Sequence, residues 1–152
     1  MKTLRNPEDR EEILRRLQAV QPGSPRRWGR MSSHQMICHL SDGFRLYLGE
    51  MTAKPVPVSY PRLLLRWVAL WLPMPWPTGF KTVPELDQHG GGTPPAQFDA
   101  DMRELRSLIE RFTREPRDFA GITHPHFGKM SESAWMRLGY LHADHHLRQF
   151  GA

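Results

Sequence analysis

The sequence predicts an all-α fold, a bundle of four long helices, on three observations. Apolar residues recur at spacings of three and four over four separate stretches. Residues with capping chemistry open most of these stretches, and proline or glycine follows them. No run alternates polar and apolar residues in the manner of a half-buried strand.

In the first helix Asn6 caps, Pro7 suits the first helical position, and Glu8, Asp9, Glu11 and Glu12 sit where the helix dipole favours anions. Ile13, Leu14, Leu17 and Val20 form its apolar stripe, and Pro22-Gly23-Ser24-Pro25 stops it by Gln21. The second helix opens at Ser32 or Ser33 and runs to about Gly49, with Met36, His39, Leu40, Gly43 and Leu46 on one face. Residues 51–95 differ in kind: they hold nine of the 14 prolines and Trp67, Trp71 and Trp76. They read as a short amphipathic helix over residues 61–72 followed by irregular chain through Gly90-Gly91-Gly92, an excursion between the second and third long helices. The third long helix covers residues 97–114, with Phe98, Met102, Leu105, Leu108, Ile109 and Phe112 inward, and Pro116 ends it. The last begins at Ser131 or Ser133 and presents Trp135, Leu138, Leu141, His142, His145, His146 and Gln149 on a broad face.

A chain of 152 residues suits one domain, residues 1–152, and its 39% hydrophobic and 24% charged content is that of a globular protein. Cys38 is the only cysteine, so no intramolecular disulfide forms, and the charged start lacks the apolar core of a secretory signal. The expected location is cytoplasmic. The apolar tract 63–76 is broken by Arg66, Pro73 and Pro75 and falls short of the roughly 20 residues that span a bilayer. Packing across one end of the bundle is its simplest explanation, with a pocket lid, a homodimer surface or an interfacial anchor as alternatives. The net charge is +5, but the 17 arginines among 21 cations are scattered and accompany no nucleic-acid-binding motif. A solvated basic surface is expected, and no specific nucleic acid.

Chemistry concentrates in the histidines. His142 and His146 are four apart, which places their Cβ atoms about 5–6 Å from each other on one helix face. Catalytic zinc sites take three protein ligands and leave a position open, and His39, on the apolar stripe of the second helix, is the candidate third. The alternative is that these are hydrogen-bonded core histidines. Asp42 and Gln149, three residues after His39 and His146, flank the site and can orient an imidazole N–H or a metal-bound water; for Asp42 a solvated or capping role is the alternative. His145 lies about 60° from His142 around the helix and can compete as a ligand. Cys38 diverges from His39 by about 100° and reads as a small buried hydrophobe.

The segment Met31-Ser-Ser-His-Gln-Met-Ile-Cys-His-Leu-Ser-Asp42, with Leu141-His-Ala-Asp-His-His-Leu-Arg-Gln-Phe150, resembles the DinB/YfiT-like superfamily of metalloenzymes. The likeness is closest to an uncharacterised branch in which His124-Pro-His-Phe-Gly128 precedes Trp135 and a terminal His-His-Leu-Arg-Gln-Phe. It spans most of the chain, and its specificity rests on the two histidine segments. The resemblance implies a DinB-like four-helix bundle and a divalent-metal site, zinc or nickel, with His39, His142 and His146 as ligands and His124 near its mouth, an ordinary loop histidine being the alternative for His124. Members with assigned activities include transferases and isomerases that use low-molecular-weight thiols.

The expected function is therefore a metal-dependent enzyme, a hydrolase or thiol S-transferase, acting on a small-molecule substrate with water or a thiol activated at the metal. No HExxH-type glutamate accompanies the histidines, which argues against proteolysis. The rival is a non-catalytic metal-binding or anionic-partner-binding helical module, which predicts a closed coordination sphere or salt-dependent partner binding.

Overall fold

The computed structural model describes residues 1–59 and 61–152. Among them the chain is all-helical: α1 (Pro7–Gln18), α2 (Ser33–Tyr47), α3 (Arg62–Trp71), a single 3₁₀ turn (Pro84–Leu86), α4 (Phe98–Thr113) and α5 (Glu132–Gln149). No strand forms among the described residues, where the one β-type pairing is an isolated bridge between His124 and Gly128.

Local chemistry sets the helix ends. Asn6 Oδ1 accepts from the Glu8 amide at 2.9 Å, and Ser32 and Gln35 form a reciprocal capping box at the start of α2. Ser131 Oγ accepts from the Ala134 amide to open α5, whereas Gln97, which precedes α4, gives it no side-chain cap. α1 closes three residues before Gln21, because the residue preceding Pro22 is kept out of helical conformation and a Gln21–Ser24 turn forms instead. Val20, outside the helix, is still buried.

Twelve of the fifteen residues of α2 are buried, so this is the central helix. It packs against α4 and α5 and touches the 3₁₀ turn, while α5 also packs on α1 and α3. Phe44, Phe112, Trp135 and Tyr47 interlock in the core with Leu4, Leu40, Leu105 and Leu108. α3 is held by Leu65, Ala69, Leu70 and Trp71 on the core and by polar contacts. Arg62 donates to the carbonyls of Val56, Pro125 and His126, Arg137 Nε donates to the Leu70 carbonyl at 3.0 Å, and Trp76 Nε1 returns to the Ala69 carbonyl at 2.7 Å. Leu70 is its one fully buried side chain. No helix among the described residues is long and apolar enough to cross a membrane.

Candidate metal centre

α2 carries His39 on the face that meets α5, and α5 carries His142 and His146 one turn apart on the face that meets α2. The three rings are 5%, 8% and 9% exposed in that order, and one ligating nitrogen from each lies within 4.8 Å of the others. His39 Nε2 and His142 Nε2 are 3.1 Å apart.

The opposite nitrogen of every ring is anchored. His39 Nδ1 lies 2.9 Å from the Leu86 carbonyl, His142 Nδ1 lies 2.9 Å from Tyr47 Oη, and His146 Nδ1 lies 2.9 Å from Gln149 Oε1. Gln149 Nε2 donates to the Trp28 carbonyl at 2.8 Å, which fixes the amide with its oxygen toward His146. A carbonyl oxygen only accepts, so His39 and His146 hold their protons on Nδ1 and turn bare Nε2 lone pairs inward. Tyr47 can donate or accept. When it accepts, His142 does the same and three lone pairs converge on one small volume. When it donates, His142 Nε2–H closes a hydrogen bond onto His39 Nε2.

Burial holds all three imidazoles below their ordinary pKa, and for His142 and His146 the shift is large, reinforced by the mutual proximity of the rings. Neutral imidazole is the form that ligates metal, and three Nε2 donors anchored through Nδ1 are the arrangement that second-shell contacts create in histidine metal sites. The donor set therefore fits a divalent transition metal.

The other sequence candidates fall around this centre in different ways. Gln149 anchors His146, as a flanking residue should. Asp42, fully buried, faces away from the triad and accepts from the Thr93 amide and hydroxyl at 2.8 and 2.6 Å, from Arg45 at 3.2 Å and from Gln88 at 3.4 Å. It clamps the chain that follows the 3₁₀ turn and has no hydrogen bond to an imidazole. His145 stands beside the triad, its ring 5.1 Å from that of His146 and flanked by Trp28 and Trp76 at 5.7 and 6.0 Å. Trp76 also lies 6.3 Å from His142, which places a residue of the Trp-rich segment over the site.

His124 lies behind Tyr47, stacked on Phe127 at 4.6 Å, with its Nδ1 accepting from the amides of His126 and Phe127. Cys38 is buried with its thiol pushed up to about 12 by desolvation and the nearby Asp101 and Asp42 carboxylates, and it points to Asp101 Oδ2, which His34 and the Ala96 amide already share. Two surface concavities, of about 410 and 420 Å³, lie along the outer side of α4 and at the loop before α5, and no triad histidine lines either.

Tyr47 and the Leu86 carbonyl are absent from the sequence candidates. Tyr47 carries a readable signal, since it falls four residues after Gly43 and eight after His39 on one helical face. The Leu86 carbonyl carries none, being a backbone atom 47 residues from its partner.

Fold and centre together define an all-helical protein with a buried histidine triad able to hold a metal ion. A family model described as a protein of unknown function (DUF1569) matches residues 3–152, and the chain belongs to that family. No curated protein and no solved structure matches it.

Proposed function

We propose that this chain is a single-domain, DinB-like metalloenzyme in which His39, His142 and His146 hold zinc or nickel, and that it works in the cytoplasm on a small substrate, by hydrolysis or thiol transfer. In this reading α1, α2, α4 and α5 are the four-helix bundle, and the Pro/Trp-rich segment is an excursion that brings Trp76 to the site. The observation that carries it is the convergence of three Nε2 atoms whose Nδ1 atoms are each anchored.

When bound, a divalent ion supplies a Lewis acid that lowers the pKa of a water or thiol at its open position. The chain's own residues do the rest. Leu86, Tyr47 and Gln149 fix the rings, and Trp28 and Trp76 shield the edge of the site from water. His145, partly exposed between those two indoles, is placed to take the proton that an entering thiol or water gives up.

A second reading, a metal held without catalysis, is favoured by one observation, the 5–9% exposure of the triad. Cobalt substitution separates the two. The enzyme reading expects near-stoichiometric cobalt, lost in His142→Ala, with a new sulfur-to-metal charge-transfer band when a small thiol is added. A cobalt spectrum indifferent to thiols and anions supports the closed site instead. A wild-type protein that neither retains nor rebinds zinc, nickel or cobalt overturns both.

A further inference from the structure

Residues 51–84 contain Lys54, Arg62, Arg66 and Lys81 and no aspartate or glutamate, so this segment supplies four of the chain's five net positive charges. The same segment is where apolar surface is left uncovered. Leu63, Leu64, Trp67 and Val68 are 68%, 55%, 53% and 38% exposed, and Met74 and Phe80 follow at 63% and 59%. Apart from Met1, every exposed large apolar side chain among the described residues belongs to it.

The exposed apolar side chains of α3 form one face. Residues 63, 64, 67 and 68 share a side of α3 at helical spacing, and Arg62 and Arg66 lie on the other. Phe80 packs on His126 at 5.1 Å, and Arg62 donates to the His126 carbonyl, which brings the loop after α3 back to the helix start. Arg66 donates to the carbonyl of Lys129, adding an exposed lysine beside the patch. Both arginines rest on neutral carbonyls, and among the described residues no carboxylate pairs with Arg62, Arg66, Lys81 or Lys129.

We propose that α3 and the Met74–Phe80 loop dock this protein on an anionic bilayer surface, Trp67 and the leucines entering the headgroup boundary while the exposed Lys81 and Lys129 meet lipid phosphates. Charge decides between this occupant and a second copy of the chain. A twofold contact sets the same patch against itself, which here brings the exposed Lys81 and Lys129 of both copies together with no acid in residues 51–84 to offset them. Geometry decides how the helix sits. Ten residues make about 15 Å of helix, half of a bilayer core, so α3 lies in the interface and does not span it. This inference is independent of the metal reading.

The test is co-sedimentation of the full chain with vesicles of phosphatidylglycerol and phosphatidylcholine in equal parts, against phosphatidylcholine alone. Binding to the anionic vesicles is expected to be about tenfold tighter or more, and to weaken as salt is added. The double variant Leu63→Glu, Trp67→Glu changes two exposed side chains, keeps the wild-type circular dichroism, and loses about tenfold or more of the binding. Equal binding to both vesicle types, no binding, or a variant that binds like wild type overturns the proposal. So does a dimer, seen by sedimentation velocity, that the variant dissolves while neither protein binds vesicles; that outcome assigns the face to a second copy.

Discussion

Of the three anchored nitrogens, His142 Nδ1 is the one whose partner can both give and take a proton, so Tyr47 decides whether the third lone pair is available. Tyr47→Phe leaves the packing intact and removes the 2.9 Å contact. It is expected to weaken zinc binding by about 10–100-fold in competition with a chromophoric chelator, at a cost of only about 1 kcal/mol in stability. Zinc affinity unchanged in this variant would show that the ring needs no anchor. Gly43 makes the same point through space. A Cβ there would stand 3.0 Å from His142 Cε1 and 3.2 Å from Nδ1, on a ring already pinned at both ends. Gly43→Ala should therefore lower metal affinity, while its gain in helix propensity keeps the fold within about 1 kcal/mol of wild type. Gly139→Ala is the control, since its Cβ would meet Leu4 at 2.9 Å and Phe112 at 3.0 Å in the core. Unfolding of the metal-free protein should show a loss of about 1–3 kcal/mol there, with zinc affinity retained. The HxxxH pair and Gln149 were legible in the sequence because helical spacing alone places them. The anchors of His39 and His142 were missed: one is a backbone carbonyl with no signal in the sequence, and the other, Tyr47, although in register with His39, reads equally well as a core tyrosine.

At the scale of elements, periodicity and caps located α1, α2, α4 and α5 to within a few residues, because each combines an apolar stripe with a local stop or start signal. The 3₁₀ turn was read as irregular chain. Three residues are too few to show a period, and only Pro84 at its first position hints at it. Yet this turn delivers the Leu86 carbonyl to His39, and Asp42 holds the chain beyond it through Gln88 and Thr93. Asp42→Ala strands the Thr93 amide and hydroxyl, costing about 1–3 kcal/mol, while Arg45 keeps its 3.0 Å pair with Glu104. Because residues 84–93 are then free to move, it should also raise hydrogen exchange there and weaken zinc binding, although Asp42 makes no hydrogen bond to an imidazole. Metal affinity unaffected alongside a released segment would break the link from Asp42 through Leu86 to His39.

Over the whole molecule, the acid-free segment was countable from the sequence, but its exposed face was not, since a tract of leucine and tryptophan reads equally well as core. The histidines raise the same difficulty: their number is plain, and their burial comes only with the fold. Six of them, His39, His124, His126, His142, His145 and His146, sit below their ordinary pKa chiefly because burial disfavours the charged ring. Above pH 6.5 this costs nothing, because the unfolded chain is neutral too. Below it the unfolded chain binds protons that the native state refuses, so stability must fall as pH falls, until the depressed native values are reached. His124 has the best-defined window, from 6.5 down to about 3, and alone removes about 2 kcal/mol by pH 5. The triad adds to this in the same direction. Thermal melts of metal-free protein should therefore drop steeply between pH 6.5 and pH 5, before most carboxylates titrate. A metal held by the triad, as proposed, would bind the neutral rings of the native state alone, so saturating zinc should shift that drop to lower pH, and His142→Ala should abolish the metal's effect while keeping the contribution of His124. A melting temperature constant from pH 7 to pH 5 would show that these rings reach solvent, and would remove the burial on which the closed donor set depends.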